Sequence, residues 1–522
     1  MKEKYLLAID VGTQSIRAIV FNLKGEIVDY AKITYDCPYL SPSPGLTEQD
    51  PLYYWDKLCE VCNILWKQDK VSPESIKAMS MTTQRGTVIN LDKNGEPLRK
   101  AMVWLDQRRA KDLPSLGILW DSIFKVAGLN RTLHSLQAEA EVNWIRENEP
   151  EIWENTEHFL FLSGYLLYKL TGKILDSVSS QVGYVPFDYK NLAWSKDNHW
   201  KWKALPVSRE KLPKLIPPGE VIDILSKKIG AQLGLPEGTP IISAGSDKAM
   251  EVVGSGCLYP NQGCIGYGTT ATININSGKY IEPIPLLPAY PSGKNGTYNI
   301  EVQIYRGFWM VTWFIEQFTE KEREEAKRLG VPTEVVLEEM IKKVPPGSMG
   351  LTLQPYWSPG IIFPSPEAKG SIIGFGDVHK KEHIYRAIIE GLAYSIREGK
   401  ELIERRSKVK INEIYINGGG SKSDEVLQIT ADILGIPVYR PEIYESSGLG
   451  AAILAAVGVG FYPDIDTAVK NMTRVGKVFH PNPTAVKMYD DLYKNVYLKM
   501  YKNLKPLYKS IQSITNYPTI TK

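Results

Sequence analysis

Two polar turns, far apart in the chain, contain the residue types that bind phosphate groups. The first extends from Asp10 to Arg17 and the second is Gly268-Thr269-Thr270. Glycine permits close backbone approach, hydroxyl and amide groups can surround a phosphate, and arginine supplies positive charge. Asp10 could hold a magnesium ion through water. A hairpin whose polar residues serve only turn geometry explains the first segment equally well.

A third glycine-rich segment, 417–423, contains the triplet Gly418-Gly419-Gly420 and precedes a predicted helix over 424–435. Bare backbone and a helix N-terminus there could accept part of a nucleotide. A glycine triplet by itself is more often a structural turn. The P-loop pattern G-x-x-x-x-G-K-[ST] does not occur in the sequence. The stretch 448–452 lacks the third glycine of a dinucleotide fingerprint, which favours close helix packing there.

Asp247 is the strongest candidate for a catalytic residue. It follows a predicted strand over 239–243 and the small residues Ala244-Gly245-Ser246. Functional side chains of α/β folds commonly project from the C-terminal ends of strands. A carboxylate there can accept a hydroxyl proton while the hydroxyl oxygen attacks the γ-phosphorus of a nucleotide. The alternative is an N-cap for a helix over 248–256, and both roles could coexist.

Two segments near the front, 82–86 and 103–109, combine amide, guanidinium, carboxylate and indole groups. They include Gln84, Arg85, Trp104 and Asp106. Such groups suit recognition of a polyhydroxylated molecule through paired hydrogen bonds and ring contact. A solvated salt-bridge network explains them equally well, and it is the preferred interpretation while the fold is unknown.

The elements that must position these residues have a repeated pattern. Strand-like runs and turns over 5–30 predict a hairpin meander, and a similar pattern returns at 263–282, with a third strand at 279–281. The pattern predicts two related halves. Helical patterns occupy 51–67, 136–148, 305–320 and 380–405. We place the domain boundary near 256–262, which gives domains 1–256 and 257–502 and a C-terminal tail, 503–522, without an obvious pattern.

Composition restricts the class of protein. A chain of 522 residues exceeds what one core usually organises, and 43% hydrophobic and 23% charged residues are typical of soluble globular domains. The net charge of +3, without a long basic run, gives no support for nucleic-acid or membrane binding. Five cysteines and the lack of a signal peptide or long apolar run indicate a reducing, cytoplasmic location. We expect a small-molecule partner, and a homo-oligomer is possible.

Taken together, these segments resemble the FGGY carbohydrate kinases over about residues 5–460, nearly the whole chain. The motifs follow the family's order. They are Asp10 to Thr13 with Arg17, Gly45 to Pro51, Tyr168 to Gly172, Ala244 to Asp247, Gly268 to Thr270, Gly370 to Glu390, Gly418 to Gly420 and Gly448 to Ala452. One position departs from the family pattern, with Phe375 where a smaller aliphatic residue is usual.

The resemblance implies an α/β fold of two ribonuclease H-like, actin-like ATPase domains with an interdomain catalytic cleft for ATP, Mg²⁺ and a sugar. The first domain would hold the sugar and the second the adenosine. Residues implied at the nucleotide are Thr13, Gln14, Ser15, Arg17, Gly268, Thr269, Gly307, Gly419, Gly420 and Ser423, with Asp10 at the metal. Residues implied at the substrate are Gln84, Arg85, Trp104, Asp106, Asp247 and Lys248.

The resemblance leaves the acceptor open. Glycerol kinases have an Arg-Glu pair and a tyrosine where this sequence has Arg85-Gly86 and Leu136, which argues against glycerol. The missing side chain at Gly86 favours a ketopentose such as xylulose or a related polyol. Lys248 could serve an acidic group on the substrate or point to solvent. A chaperone-like ATPase that controls a protein partner is the rival interpretation, and a silent sugar sensor is disfavoured by the presence of Asp10 and Asp247.

Overall fold

A computed structural model of the chain describes residues 3–331, 333–358, 364–365 and 367–517. The chain divides into two compact units. The first contains the residues up to Leu258 together with 276–299 and 445–474, and the second contains 259–275, 300–444 and the residues from Val475 onward. The predicted domains 1–256 and 257–502 stay a prediction. The compact units do not follow a single cut, because two later segments return to the first unit.

Strands and helices are interspersed along the whole described chain. The strands are β1 (Tyr5–Val11), β2 (Ser15–Asn22), β3 (Ile27–Thr34), β4 (Glu48–Gln49), β5 (Ile76–Thr83), β6 (Val88–Leu91), β7 (Ala101–Met102), β8 (His158–Phe161), β9 (Leu175–Ser177), β10 (Phe187–Asp188), β11 (Ala193–Trp194), β12 (Lys214–Ile216), β13 (Val221–Ile224), β14 (Pro240–Ile242), β15 (Gln262–Tyr267), β16 (Ala271–Ser277), β17 (Tyr290–Pro291), β18 (Tyr298–Ile304), β19 (Thr352–Gln354), β20 (Ser371–Ile373), β21 (Glu413–Asn417), β22 (Val438–Pro441) and β23 (Val475–Phe479). The helices are α1 (Pro51–Trp66), α2 (Ile118–Val126), α3 (Asn130–Glu139), α4 (Glu141–Asn148), α5 (Pro150–Asn155), α6 (Leu162–Thr171), α7 (Lys201–Ala204), α8 (Lys227–Leu233), α9 (Asp247–Gly254), α10 (Trp309–Phe318), α11 (Glu320–Leu329), α12 (Thr333–Lys342), α13 (Lys381–Ser407), α14 (Asp424–Leu434), α15 (Ser446–Gly458), α16 (Ile465–Met472), α17 (Pro483–Leu492) and α18 (Leu498–Thr515).

The main sheet of the first unit has the strand order β13-β14-β5-β1-β2-β3. β1, β2 and β3 form the predicted antiparallel meander, and β5 and β14 extend the sheet in parallel from β1. β1 is buried on both faces, as expected for a strand in the middle of a covered sheet. The carboxyl ends of β1, β5 and β14 therefore meet at one edge of the sheet.

The main sheet of the second unit repeats this order with β18-β16-β15-β21-β22-β23. β15 pairs with β16 in antiparallel fashion and with β21 in parallel, and β22 continues the parallel part. The two related α/β halves predicted from the sequence are confirmed. The predicted third strand at 279–281 is wrong, because the third strand of this meander is β18 at Tyr298–Ile304.

Most predicted helices are confirmed, with two differences. The predicted helix over 136–148 is divided into α3 and α4, because Ala140 adopts an extended conformation between them. The expectation of a patternless tail is wrong as far as Thr515, where α18 ends. Met500, Tyr501 and Tyr508 are buried at helical spacing, a pattern that the internal Pro506 obscures in the sequence. Residues 518–522 of that tail lie outside the described residues. Within the described ranges, no helix has the length and apolar character needed to cross a membrane.

The helices α9 and α15 pack closely through glycines, which confirms the packing interpretation of segment 448–452. A β-carbon at Gly450 would lie 2.1 Å from the carbonyl oxygen of Met250. A β-carbon at Gly254 would lie 1.9 Å from the carbonyl oxygen of Ser446. Any larger residue at these positions would force the two helices apart. Because α9 begins at Asp247, this contact fixes the helix that carries the candidate catalytic residue.

We expect Gly450→Ala to lower the free energy of unfolding by about 1–3 kcal/mol or more, since overpacking strains a close helix contact. Urea unfolding followed by circular dichroism measures the change. Gly278→Ala is the matched control, because a β-carbon at Gly278 meets no atom within 4 Å. Equal losses in the two variants would contradict the packing argument.

Candidate active site

The candidate catalytic residues of the first unit gather at the shared edge of β1, β5 and β14. Asp10 lies near the end of β1, Gln84 follows β5 and Asp247 follows β14 by a short turn. Thr83 and Ser246 form a parallel bridge, and the hydroxyl of Thr82 donates to the carbonyl of Gly245 at 2.9 Å. These contacts continue the parallel pairing past the strand ends, which brings distant parts of the sequence to one place.

Arg17 and Asp10 form the central ion pair of this edge. Nη1 of Arg17 donates to Oδ2 of Asp10 at 2.6 Å, and Nε of Arg17 lies 3.2 Å from Oε2 of Glu445. Burial raises the pKa of Asp10 to about 6, Arg17 opposes that shift, and Asp247 and Glu445 add to it. The guanidinium of Arg17 therefore lies between two carboxylates, those of Asp10 and Glu445.

Asp247 is the first residue of α9, and Ser246 is the N-cap whose side chain accepts from the amide of Ala249. The alternative role of Asp247 as the N-cap is therefore wrong. Oδ1 of Asp247 accepts from the amide of Lys248 at 2.8 Å. Burial raises the pKa of Asp247, while Lys248 and Arg85 lower it. A carboxylate with a raised pKa is a better proton acceptor than an exposed aspartate, which suits a general base.

Thr13, expected at the nucleotide, lies in a hydrogen-bond chain with two residues expected at the substrate. Nε1 of Trp104 donates to the hydroxyl of Thr13 at 2.8 Å, and that hydroxyl donates to Oε1 of Gln84 at 2.6 Å. Nε2 of Gln84 donates to the hydroxyl of Tyr54 at 3.1 Å. These hydrogen bonds fix the indole of Trp104. Both the oxygen and the nitrogen of the buried Gln84 amide are bonded in this way.

Arg85 and Lys248 bring positive charge close to Asp247. The guanidinium of Arg85 lies over the ring of Tyr290, 5.2 Å from its centroid, and Nζ of Lys248 pairs with Glu251 at 2.6 Å. Gly86 has a φ of +66°, a conformation that favours glycine over any residue with a side chain. The backbone conformation at position 86 therefore also favours glycine, independently of any ligand.

Asp106 has a different environment from the one expected of a substrate ligand. Its Oδ1 accepts from the amide and Nε of Arg108, and its Oδ2 accepts from the amide of Thr47 and from Nη2 of Arg108. A carboxylate offers about four acceptor positions, so these bonds occupy them all. Arg108 also pairs with Glu48 at 2.8 Å. The substrate role of Asp106 stays a prediction. The bonds observed are those of an ion-pair network, as in the alternative, but this network is buried and not solvated.

The other residues of the first turn differ in accessibility. Ser15 is buried at the start of β2, where it pairs with Thr34 of β3, whereas the side chain of Gln14 is exposed. The amide of Gly12 donates to the carbonyl of Ser15 at 3.0 Å and closes the turn. The exposed Gln14 is thus more accessible to a ligand than Ser15.

The second unit assembles its own glycine-rich surface from three segments. The amide of Phe308 donates to the carbonyl of Gly268 at 3.0 Å, and a β-carbon at Gly307 would lie 2.1 Å from the amide nitrogen of Ala271. Thr269 at the tip of this turn is exposed. Gly307 therefore allows the start of α10 to lie directly against the second predicted phosphate turn.

The glycine triplet lies against the same segments. A β-carbon at Gly420 would lie 2.4 Å from the ring of Phe308, whereas one at Gly419 would meet no atom within 4 Å. Gly420 is thus a packing requirement, and Gly419 presents open backbone. Ser423 is the N-cap of α14, and its hydroxyl accepts from the amide of Val426. Of these residues, Gly419 and Thr269 are the most accessible to a ligand.

Asp10 is the candidate for a magnesium ligand. Among the described residues, no group of three or more His, Cys, Asp or Glu side chains is arranged to hold a metal ion. Mg²⁺ usually keeps several waters and binds through one or two carboxylates together with substrate phosphates. The buried carboxylate of Asp10, on which the carboxylates of Asp247 and Glu445 act, therefore fits this ion.

Comparison with known proteins gives the family. The model of the FGGY family of carbohydrate kinases, N-terminal domain, matches residues 5–254, and that of the C-terminal domain matches residues 263–459. The chain belongs to the FGGY family. This FGGY kinase is therefore a phosphotransferase that acts on an alcohol group of a sugar or polyol, and kinases of the family use ATP, typically with magnesium. Family membership favours the kinase over the chaperone-like ATPase that the phosphate turns alone left open.

The individual relatives are named for different substrates. A xylulose kinase of Staphylococcus epidermidis is 27% identical over 526 residues, with 99% of this chain and all of the relative covered. Glycerol kinase 2 of Thermotoga maritima is 30% identical, with 92% of this chain and 95% of the relative covered. The crystal structure of a xylulose kinase from Rhodospirillum rubrum superposes with a TM-score of 0.81 at 22% identity, covering 97% of this chain and all of that one.

Sequence reasoning missed the residues that hold the site residues in place. Glu445, which faces Arg17, and Tyr290, which lies beneath Arg85, are absent from the predicted set. Glu445 accepts from Tyr30, which lies 415 residues earlier in the chain. The hydroxyl of Ser447 donates to the carbonyl of Asp247 at 3.2 Å. The only signal in the sequence is that Glu445 and Ser447 flank the start of the glycine-containing helix.

We expect Arg108→Met to lower the free energy of unfolding by about 3–5 kcal/mol, because it leaves the buried Asp106 carboxylate without its cation. Arg109→Met is the control, since the Arg109 side chain is 50% exposed against 4% for Arg108. Its single ion pair with Glu139 should contribute less than about 1 kcal/mol. Urea unfolding measures both variants, and a similar small loss in both would show that the network is not needed for stability.

Proposed function

We propose that this FGGY kinase transfers the γ-phosphoryl group of ATP to a terminal hydroxyl of a ketopentose such as xylulose, or of a related polyol. The observation that carries the proposal is the position of Asp247. Its carboxylate follows the end of β14, at the sheet edge where β1 brings the Asp10–Arg17 pair. A proton acceptor and the proposed phosphate-binding cation are thereby held at the same sheet edge, on strands separated by β5.

In the proposed mechanism Asp247 orients the acceptor hydroxyl and takes its proton as the oxygen attacks phosphorus. Arg17 stabilises the negative charge that develops on the transferred group. Magnesium near Asp10, when bound, would neutralise phosphate charge. The shell around Asp247 supports its role, because Ser447 holds its carbonyl and its neighbour Lys248 is paired with Glu251.

The nucleotide roles are proposed on accessibility and residue type. Thr13, Gln14 and Arg17 of the first unit would face phosphates, with Ser15 contributing through its backbone. In the second unit, Thr269 and Gly419 would contact the nucleotide directly, and the other glycines would shape the surface. This second group is Gly268, Gly307, Gly420 and the N-cap Ser423.

The acceptor roles rest on the groups around Trp104 and Arg85. Trp104 offers a fixed ring face, since its indole nitrogen donates to Thr13. Gly86 leaves space where a side chain would stand, which supports an acceptor longer than glycerol. Gln84, Arg85 and Asp247 would bind hydroxyl groups, Asp106 would act through the loop that it fixes, and Lys248 would contact the acceptor only if it leaves Glu251.

We also propose a cytoplasmic location and leave a homo-oligomer as a prediction. All five cysteines are free, with Cys62, Cys257 and Cys264 buried. Free thiols in this number are typical of proteins from reducing compartments.

Asp247→Asn should lower kcat for acceptor phosphorylation by about 10³-fold or more, because an amide cannot accept the hydroxyl proton. Binding of MgATP, measured by calorimetry, should stay within about twofold, since the nucleotide groups are intact. Asp197→Asn, at an aspartate whose side chain is 91% exposed, is the control. Near-normal turnover of Asp247→Asn would contradict the role of Asp247 as the base.

A coupled-enzyme screen of ketoses, polyols and sugar acids with MgATP tests the acceptor. We expect kcat/KM for at least one ketopentose to exceed that for glycerol by about tenfold or more, a ratio that the fit of a few hydroxyl groups can supply. A preference for glycerol would contradict the ketopentose proposal and leave the kinase assignment intact.

A further inference from the structure

We propose that Glu445 is a positioning residue for phosphoryl transfer, which acts by holding the guanidinium of Arg17 in place beside Asp10. The inference rests on the proposed function, because it assumes that Arg17 meets the phosphates of ATP. Glu445 lies in none of the predicted phosphate-binding turns. It enters the first unit with the late segment 445–474.

The first argument is the geometry around Arg17. Nη1 donates to Oδ2 of Asp10 at 2.6 Å, and Nε lies 3.2 Å from Oε2 of Glu445. Nε is buried and makes no hydrogen bond to any described residue, so this ion pair is its stabilising contact. Two carboxylates thus hold two separate nitrogens of one planar group. A guanidinium has five N–H donors, so the donors that the two carboxylates and Tyr30 do not use can meet a phosphate.

The second argument is that the Glu445 carboxylate does not cap its own helix. Glu445 is the N-cap residue of α15, yet its side chain makes no capping hydrogen bond. Its Oε1 instead accepts from the hydroxyl of Tyr30 at 3.3 Å. An acidic residue that only served the helix would be expected to bond the free amides of the first turn. The carboxylate is held towards β2 and β3, where Arg17 and Tyr30 lie.

The third argument is the rigidity of the element that carries Glu445. α15 is fixed against α9 by the contact of Gly450 with the Met250 carbonyl. The hydroxyl of Ser447, two residues after Glu445, donates to the carbonyl of Asp247. One helix start therefore supports both the phosphate-side cation and the proposed base. A glutamate on such an element can fix the direction of Arg17 at little entropic cost.

A double-mutant cycle on nucleotide binding tests the proposal. Glu445→Gln keeps the size of the side chain and its contact with Tyr30 and removes only the charge. We expect it to weaken MgATP binding about tenfold, as for loss of one partly buried charge contact to Arg17. In the Arg17→Ala background the same change should cost less than about twofold, because its effect passes through Arg17. Calorimetry measures the four dissociation constants.

The controls separate positioning from general stability. Glu60→Gln removes a carboxylate of α1 that is 49% exposed and pairs with Lys57, and it should leave MgATP affinity within about twofold. Glu445→Asp, which keeps the charge at a shorter reach, should recover part of the affinity. If Glu445→Gln does not fold, Tyr30→Phe gives a second route, with a loss of about two- to threefold that disappears in Arg17→Ala.

The outcomes distinguish this inference from the proposed function. Additive losses in the cycle, or unchanged affinity in Glu445→Gln, would overturn the positioning role while the kinase assignment stands. If the wild-type chain binds MgATP and phosphorylates no acceptor, the proposed function fails, and the cycle still decides the role of Glu445. A wild-type chain that binds no MgATP would overturn both.

Discussion

The ion pair between Arg17 and Asp10 is the interaction on which the candidate site depends. Asp10 is 5% exposed, and a buried carboxylate without a cation would cost several kcal/mol. Arg17 offsets that cost, but Asp247 and Glu445 add further negative charge at the same sheet edge and raise the pKa of Asp10. The two carboxylates beside the one guanidinium of Arg17, those of Asp10 and Glu445, leave an excess of negative charge that a divalent metal ion would offset. The site therefore has an electrostatic reason to bind magnesium that does not require a cluster of ligands.

Around this pair, polar side chains are fixed by other polar side chains. The chain from Trp104 through Thr13 to Gln84 links the loop after β7 with the turn after β1 and the end of β5. Arg108 fixes the same loop a few residues later through Asp106. Some residues that the sequence suggests as ligands, such as Gln84 and Asp106, thus also hold other site residues in place. A site whose groups are held by such bonds needs little reorganisation when a substrate arrives.

The sequence predicts the local strands and helices well. It predicts poorly which residues far apart in the chain contact each other. The meander over 5–30, the strand before Asp247 and the helices at 51–67 and 380–405 follow from periodicity and turn residues. Such local signals cannot tell Asp106, whose acceptors are all used, from Asp247, whose carboxylate accepts only its neighbour's amide among the described bonds. The only local signal for Glu445 is its position at the start of the glycine-containing helix, because its partners lie on β2 and β3. The strand at 279–281 fails for a similar reason, since pairing and not propensity decides which segment completes a sheet.

The repeat of one strand order explains why the two phosphate turns occupy the same position in their sheets and yet differ in chemistry. Each turn joins the first two strands of its meander, β1 to β2 and β15 to β16. The first turn begins at a charged pair and needs carboxylates and an arginine around it. The second contains only glycine and threonine, so it needs no counter-ion and can be approached closely by Gly307. A neutral turn leaves its amides and hydroxyls as donors without adding charge. The two sheets therefore share the position of the turn, while the charged side chains occur in the first unit, where α15 contacts Asp247 through Ser447 and begins next to Glu445, the partner of Arg17.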